Sequence, residues 1–194
     1  EFLTEELALI KCEDDSKAYQ LKRLNKIDNY IRKFVEERQK ADRIEISEDW
    51  TNIVNSYFNR LQTTIDEKEK KAREEKAAIL KELAESNFSV LIGGAGTGKT
   101  TLLSLLCQSD KIKNGGVLLL APTGKARVRI SKTMNEMGVS HTAFTIAQFL
   151  IRHGRFNYAT MNYMLSREDV GDIPATVIID ECSMMTEEMF GALL

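Results

Sequence analysis

One segment of eight residues constrains the fold of this chain more than any other part of its sequence. It runs from Gly93 to Thr100, reads GGAGTGKT, and lies between a short apolar run and a segment with helical spacing. Glycines let the backbone take positive φ and turn its amide groups inward, toward the positive end of the helix that follows. The pattern G-x-x-x-x-G-K-[ST] in this context is typical of a phosphate-binding loop, or P-loop.

The P-loop pattern assigns roles to individual residues. Lys99 is expected to reach the β- and γ-phosphates of a nucleotide, and the Thr100 hydroxyl is expected to bind Mg²⁺. The alternative, a glycine turn with no ligand, is disfavoured by the flanking strand and helix patterns. The residues predicted to bind the nucleotide are Gly93, Gly94, Ala95, Gly96, Thr97, Gly98, Lys99, Thr100 and Thr101.

A pair of carboxylates follows the apolar segment 177–179. The carboxyl end of such a strand lies beside the P-loop in a parallel sheet, so Asp180 is predicted to hold Mg²⁺ together with Thr100. Glu181 is predicted to act as the general base that orients and deprotonates the attacking water. The predicted catalytic residues are therefore Lys99, Asp180 and Glu181. A polar turn at the end of a strand is the alternative for the two carboxylates.

The region after Asn87 alternates short runs rich in Val, Ile and Leu with glycine-containing turns and amphipathic stretches. This alternation is typical of βαβ units, and it predicts an α/β fold with a parallel-sheet P-loop NTPase core. Residues 154–174 read as an irregular insertion. The predicted strands are Phe88–Ile92, Val117–Ala121 and Thr176–Asp180. The predicted helices are Lys99–Gln108, Lys125–Met137, Thr145–Arg152 and Thr186–Leu194.

The region before the core has no glycine or proline from Leu3 to Ser86, and its apolar residues recur at three- and four-residue spacing. Two such stripes, at 21–35 and 53–65, predict helices, and the mixed charges of 66–76 indicate a solvated helix or a linker. We therefore expect a helical module at 1–70 and the P-loop core at 71–194. The stripes fit an intramolecular core better than an oligomerising coiled coil.

Composition excludes several classes of protein. The 194 residues carry a net charge of -2, and no run of eighteen apolar residues or signal-peptide pattern is present, so we expect a cytoplasmic protein without a membrane partner. Three distant cysteines do not indicate a disulfide framework or a zinc site. Basic residues are concentrated between 111 and 155, where Glu136 is the one acidic residue, and they form either a phosphate-attracting surface or a solvated face. They are Lys111, Lys113, Lys125, Arg127, Arg129, Lys132, Arg152 and Arg155.

The order of these segments adds a family resemblance. The segments 93–100, 120–126 (LAPTGKA), 145–146 and 179–185 (IDECSMM) resemble motifs I, Ia, Ib and II of RecD-like superfamily 1B DNA helicases, over about residues 75–194. The resemblance implies a RecA-like core that uses ATP with Mg²⁺ and contacts the backbone of single-stranded DNA. The DNA contacts it implies are Pro122, Thr123, Gly124, Lys125 and Thr145. A hydroxyl, a glycine amide and a lysine at a strand-to-helix turn are chemically suited to phosphate.

The chain also departs from the family pattern at two places. Members often have Thr-Ile-His-Arg where this chain has Thr145-Ile146-Ala147-Gln148, so the DNA contact of that histidine is absent or moved. The stretch that usually holds an adenine-reading glutamine is Glu74-Glu75-Lys76 here, which leaves adenine selectivity open.

The resemblance implies the ATPase part of a 5′→3′ DNA helicase. Because motifs III to VI have no counterpart in the sequence, we expect a core that is incomplete at its C-terminal side, and a chain that binds nucleotide but does not unwind DNA alone. Two alternatives stay open. One is another P-loop ATPase of the AAA or switch type, and the other is a helical partner-docking module with a vestigial P-loop.

Overall fold

The computed structural model describes residues 6–12, 14–60, 66–94, 96–139, 141–165 and 173–194. Its strands are β1 (Leu7–Lys11), β2 (Lys17–Leu21), β3 (Val117–Ala121), β4 (Ala143–Thr145), β5 (Phe156–Asn157), β6 (Asn162–Tyr163) and β7 (Thr176–Ile179). Its α-helices are α1 (Lys22–Lys40), α2 (Trp50–Phe58), α3 (Glu67–Glu85), α4 (Lys99–Leu106), α5 (Asp110–Gly115), α6 (Gly124–Glu136), α7 (Ile146–Arg152) and α8 (Glu187–Leu193). A 3₁₀ turn covers Cys182–Met184.

The central sheet is parallel and has the strand order β4-β3-β7. Leu119 in β3 is opposite Ala143 in β4 and Ile178 in β7, so all three strands end at the same edge. The chain leaves that edge through Pro122 on β3 and Asp180 on β7, which places the two motif turns side by side. The predicted α/β class with a parallel sheet is confirmed.

Alternate residues of β3 belong to two different hydrophobic cores. Leu119 packs into a core formed with α2, α3, α4 and α6, where Leu80 and Leu105 are fully buried. Leu118 and Leu120 face the opposite side, in a second core formed with α7 and α8. Because successive side chains of a strand point to opposite faces, the sheet is covered by helices on both sides.

The helices before the P-loop pack onto this core. Trp50 and Val54 of α2 and Leu80 of α3 belong to the same buried cluster as Leu119 of the central strand. Helix α3 runs without interruption across residue 70, where we expect the boundary between the helical module and the P-loop core. Its start is capped by Asp66, whose side chain accepts a hydrogen bond from the Glu69 N–H at 2.7 Å.

Helix α1 lies against α8 at very short range. A Cβ placed on Gly191 of α8 would meet the Cγ2 atom of Ile27 at 2.9 Å, so only glycine allows this approach. The Arg23 and Glu188 side chains form an ion pair at 2.7 Å beside this contact. Helix α8 follows the Asp180–Glu181 turn, so the N-terminal part of the chain is packed next to the acidic motif.

The helical prediction for the N-terminal region is wrong for residues 7–21. Residues 7–11 and 17–21 form the two strands of an antiparallel hairpin in which Leu9 is opposite Tyr19, and Asp15 between them has a left-handed φ of 64°. Two five-residue segments with alternating exposure, joined by a polar turn, favour strands over a helix that would need a longer apolar stripe. The predicted helical stripes at 24–35 and 53–58 do lie in α1 and α2, while residues 61–65 lie outside the described part.

The predicted strand at Phe88–Ile92 is also wrong. This segment has no strand structure, and the Val90 and Ile92 side chains are 60% and 87% exposed. An apolar segment becomes a strand only where a neighbouring strand accepts its N–H groups and donates to its C=O groups, and within the described residues none does so here. The predictions for β3, α4, α6, α7 and α8 hold within two residues at each end, whereas β4 and α5 had not been predicted.

The insertion at 154–174 contains one regular element in its described part. Strands β5 and β6 form a short hairpin with Phe156 opposite Tyr163. The predicted irregular stretch at 166–172 lies outside the described residues. In the part of the chain that the structure covers, none of the helices has the length and apolar character needed to cross a membrane.

Candidate functional site

The P-loop closes around its own lysine. The Lys99 ammonium group donates hydrogen bonds to the carbonyl oxygens of Gly93 and Gly94, at 2.7 and 2.8 Å. The Thr97 hydroxyl donates to the same Gly94 oxygen at 2.9 Å. Gly96 and Gly98 have φ values of 77° and 84°, the left-handed region that glycine enters without strain. Gly96 and Gly98 thus supply the two positive-φ positions of the loop.

Helix α4 begins directly at the end of the loop. Gly98 is its N-cap residue, and Lys99, Thr100 and Thr101 form the first turn, where helical N–H groups have no partner within the helix. These N–H groups and the positive end of the helix dipole are suited to phosphate oxygens. Ala95, which was predicted to be part of the nucleotide site, lies outside the described residues.

Asp180 is the buried carboxylate of the site. Its side chain is 8% exposed, and its Oδ1 atom accepts a hydrogen bond from the Glu181 N–H at 3.0 Å. Burial raises the pKa of Asp180 above its ordinary value, and the neighbouring Glu181 charge acts in the same direction, while Arg129 and Lys99 oppose the shift. Lys99 has the smallest of these influences, so the pKa of Asp180 is governed mainly by its burial.

The Asp180 carboxylate is suited to binding a divalent cation. Its Oδ2 atom is buried and has no hydrogen-bond partner among the described residues. A buried carboxylate oxygen without a partner is costly unless a cation or donor satisfies it. Oxygen ligands of this kind suit Mg²⁺. Thr100, the other predicted ligand, stands in the first turn of α4.

Glu181 sits in an unusual backbone conformation. Its φ and ψ values are 57° and 35°, in the left-handed region that residues other than glycine seldom adopt. Its side chain accepts a hydrogen bond from the Arg129 Nη1 atom at 3.0 Å. This ion pair was not predicted, because a contact between residues 52 positions apart leaves no local trace in a sequence.

The predicted DNA-contacting turn lies at the same edge of the sheet. Pro122 and Thr123 connect β3 to α6, and the Thr123 hydroxyl caps the helix by accepting a hydrogen bond from the Ala126 N–H at 3.2 Å. Gly124 has open space around it, and the Lys125 side chain is exposed. The turn is therefore accessible, with a helix N-terminus and a lysine directed to one surface.

Thr145 has a structural task in addition to its predicted role. Its hydroxyl accepts a hydrogen bond from the Gln148 N–H at 3.1 Å, and the Gln148 side chain accepts one from the Thr145 N–H at 2.9 Å. This reciprocal arrangement is a capping box that begins α7. It uses one lone pair of the hydroxyl, so the Thr145 hydroxyl proton can still be donated to a phosphate.

Two of the basic residues of 111–155 form hydrogen bonds within the fold, and four others lie in α6. Lys111 donates to the Glu45 carbonyl, and Arg155 is buried and donates to the Ala192 carbonyl at 3.0 Å, so these two are structural. Lys132 lies 3.8 Å from Glu136 in an exposed pair on α6. Lys125, Arg127 and Arg129 are also in α6, and Arg152 is in the last turn of α7.

A cavity of about 320 Å³ lies between α6, β4 and α7. The Arg152 guanidinium stands 4.4 Å from the ring centroid of Phe144, and Arg127 has a buried Nε atom that lacks a partner among the described residues. Tyr158 also lines the cavity and is 67% exposed. Arginines beside exposed aromatic rings are a common arrangement for nucleotide backbones and bases. Sequence reasoning missed the cavity, although Arg127 and Arg152 were noted as basic.

The stretch that stands where relatives carry an adenine-reading glutamine lies within α3. Glu74 and Glu75 are exposed, and the Lys76 ammonium lies 5.2 Å from the ring centroid of Phe58. In this structure Lys76 thus packs against the aromatic ring of the preceding helix.

Comparison with known proteins places these features in a family. Residues 75–194 match the sequence model of a family described as an AAA domain, which is more than half of the chain. An uncharacterized protein of Methanocaldococcus jannaschii is 30% identical over 145 residues, which are 70% of this chain and 12% of that protein.

Two further relatives have functional names. The ATP-dependent RecD2 DNA helicase of Deinococcus radiodurans is 32% identical over 135 residues, 64% of this chain and 16% of the relative. The RecBCD enzyme subunit RecD of Haemophilus influenzae is 26% identical over 149 residues, 70% of this chain and 23% of the relative. The chain thus spans less than a quarter of the length of each of these proteins.

Proposed function

Because the chain belongs to the AAA domain family and its resemblance to RecD-like superfamily 1 helicases is confirmed, we propose that it is the ATP-hydrolysing part of a 5′→3′ DNA helicase. The observation that carries the proposal is the buried Asp180 Oδ2 atom, which has no hydrogen-bond partner among the described residues. The charge of the P-loop Lys99 acts on the same carboxylate. A cation ligand and a phosphate-binding lysine in one site are what nucleotide hydrolysis requires.

The residues of the site have complementary tasks in this proposal. Lys99 exchanges the carbonyl oxygens of Gly93 and Gly94 for phosphate oxygens, and the first-turn N–H groups of α4 bind the same phosphates. Thr100 and Asp180 hold Mg²⁺, which neutralises developing charge when it is bound. Glu181 accepts a proton from the attacking water.

Single-stranded DNA is proposed to bind at the edge where Lys125 is exposed. Pro122, Thr123, Gly124, Lys125 and Thr145 border that edge. The cavity with Arg127, Arg152 and Phe144 extends it, and an aromatic ring with two arginines suits a nucleotide without sequence preference. The cytoplasm is the compartment that fits these substrates.

By itself the chain is proposed to bind nucleotide, hydrolyse it slowly and unwind nothing. The transition state spreads charge over γ-phosphate oxygens, and an arginine finger that stabilises this charge contributes about 10³–10⁵ in rate. None of the arginines in residues 1–194 stands at a position that the family resemblance assigns to such a finger.

Two assays on the purified chain test this proposal. Calorimetry with ATP and ADP in the presence of Mg²⁺ should show binding, and phosphate release should be slow with or without single-stranded DNA. Failure to bind nucleotide even at millimolar concentration would favour a partner-docking module with a vestigial P-loop. Nucleotide binding with no affinity for DNA would favour a P-loop ATPase of another type.

Rapid DNA-stimulated hydrolysis that Glu181→Gln abolishes would show instead that the 194 residues form a complete motor. A labelled duplex with a single-stranded tail measures unwinding in the same samples, and we expect no strand separation.

A further inference from the structure

The ion pair between Arg129 and Glu181 connects two sites with different ligands. Arg129 is in α6, the helix that begins at the proposed DNA-contacting turn, and Glu181 is the proposed general base. Their side chains meet at 3.0 Å although they are 52 residues apart in the chain. A single arginine therefore touches the catalytic carboxylate from the nucleic-acid side of the domain.

We propose that Arg129 is a positioning residue. Without nucleic acid it holds the Glu181 side chain in an ion pair, and when single-stranded DNA binds it pairs with a DNA phosphate instead. Nucleic acid then frees the carboxylate to serve as the base for ATP hydrolysis. This inference rests on the proposed function, since it assigns Glu181 to hydrolysis and the α6 surface to single-stranded DNA.

The position of Arg129 on its helix supports the exchange. Residues four apart in an α-helix are neighbours on one face, so Lys125 and Arg129 lie on the same side of α6, one turn apart. Arg127 is two positions from Arg129, so it points to a different face and lines the cavity toward β4. A strand whose phosphate contacts Lys125 therefore has Arg129 within reach of the next phosphate.

The exposure of the pair makes it easy to break. The Arg129 and Glu181 side chains are 64% and 41% exposed, and ion pairs in such surroundings are weak. A phosphate offers the guanidinium a doubly hydrogen-bonded alternative with more charge. The structure thus holds Glu181 with a contact that a bound single strand can replace.

The backbone around Glu181 limits what else can change. Its N–H donates to the Asp180 carboxylate at 3.0 Å, and its left-handed conformation is fixed between β7 and the 3₁₀ turn. With the backbone held, the side chain is the part of Glu181 that can move. The hydrogen bond from Arg129 uses one lone pair of the Glu181 Oε1 atom and sets the direction of the carboxylate, so replacing this bond allows the carboxylate to turn toward another group.

A double-mutant cycle on DNA binding tests the competition without requiring hydrolysis. The affinity for a fluorescent oligo(dT) strand is measured for the whole 194-residue chain and for Glu181→Gln, Arg129→Gln and the double variant. Because Glu181 competes with phosphate for Arg129, Glu181→Gln should raise affinity about two- to fivefold, the range expected for an exposed ion pair. The same change should have no effect when Arg129 is glutamine.

Glu136→Gln is the matched control, because Glu136 is also an acid paired with a base on α6, 3.8 Å from Lys132. It also removes one negative charge that is paired with a base on α6, and it should change affinity equally with and without Arg129. The salt dependence gives a second readout, since releasing Arg129 adds one phosphate contact and should steepen the slope of log affinity against log salt by about 0.7, the contribution of one contact in a single strand.

The outcomes separate the inference from the function on which it rests. Equal effects of Glu181→Gln in both Arg129 backgrounds, with the wild-type chain binding DNA, would overturn the coupling and leave the proposed function intact. Absence of DNA binding by every variant would overturn both. An affinity gain that requires Arg129, together with the steeper salt slope, supports the coupling.

Discussion

The Lys99 ammonium group donates a hydrogen bond to the carbonyl oxygen of Gly93 at 2.7 Å, so the lysine that is predicted to bind phosphate is held by the backbone of its own P-loop. Together with the hydrogen bond to the Gly94 carbonyl oxygen, this contact gives the Lys99 ammonium group acceptors in the absence of a ligand and keeps the loop closed. Phosphate oxygens carry a full charge and form stronger hydrogen bonds than a carbonyl oxygen does, so a nucleotide can replace these two contacts.

We expect Lys99→Ala to weaken the binding of ATP and ADP by about 1.5–3 kcal/mol, because it removes a charge-assisted hydrogen bond to phosphate. Isothermal titration calorimetry with Mg²⁺ measures the change. Lys132→Ala, an exposed lysine on α6, is the control and should leave nucleotide affinity unaltered. Equal affinity of Lys99→Ala and the wild-type chain would contradict the P-loop assignment.

Asp180→Asn should make the chain more stable at neutral pH and less responsive to Mg²⁺. Burial raises the pKa of Asp180, so its ionised form is disfavoured in the folded chain, and asparagine removes that charge while keeping the oxygen that accepts from the Glu181 N–H. Mg²⁺-ADP at 100 times its dissociation constant should stabilise the wild-type chain by about 2.7 kcal/mol. The variant should lose the part of this gain that depends on Mg²⁺.

The pH dependence of the same variant gives a check on the cause. A pKa that is raised on folding means that Asp180 disfavours folding only where it is ionised, so its penalty grows as pH rises above about 4, the value of an unperturbed aspartate. The difference in melting temperature between Asp180→Asn and the wild-type chain should be present at pH 7 and shrink toward pH 4. A constant difference would contradict the explanation by charge.

Lys125→Ala should lower the affinity for single-stranded DNA and reduce the salt slope by about 0.7, the contribution of one phosphate contact in a single strand. Lys125 is exposed in the first turn of α6, whereas Lys132 farther along the same helix is paired with Glu136. Fluorescence anisotropy at several salt concentrations measures both quantities. Lys132→Ala should have the smaller effect, and an equal effect of the two changes would argue for a diffuse basic surface.

Leu80→Ala should destabilise the whole chain by about 2–5 kcal/mol, because Leu80 is fully buried in the cluster that joins α2 and α3 to the central sheet. Chemical denaturation followed by the fluorescence of Trp50, a member of the same cluster, and by circular dichroism measures the effect. The two signals should shift together. Separate transitions would indicate that the helices before the P-loop fold independently of the sheet.

The parts of the fold that were predictable are those in which local pattern and tertiary environment agree. The run Val117–Ala121 is buried on both sides, as a continuous apolar strand should be, and its predicted limits are those of β3. Asp180 follows a second apolar strand, so its place at the edge of the sheet could be inferred. Glycines at positive φ in the P-loop follow from the motif in the same way.

The parts that were not predictable depend on partners far away in the sequence. Residues 88–92 have a strand composition, but strand pairing is decided by neighbours that the local sequence does not reveal. The Arg129–Glu181 pair and the approach of Gly191 to Ile27 are contacts of the same distant kind. The hairpin of β1 and β2 is not predictable for a different reason. Its alternating pattern covers five residues in each strand and lies next to a longer stretch with helical spacing.

The unpaired edge of β7 in the central sheet affects the tendency of the purified chain to aggregate. In the described part of the structure β7 pairs with β3 alone, and the apolar side chain of Val177 in β7 is 44% exposed. A strand that has an unpaired edge and an exposed apolar side chain can pair with a strand of another copy of the chain. Aggregation should therefore rise steeply with protein concentration, and a charged residue at position 177 should suppress it.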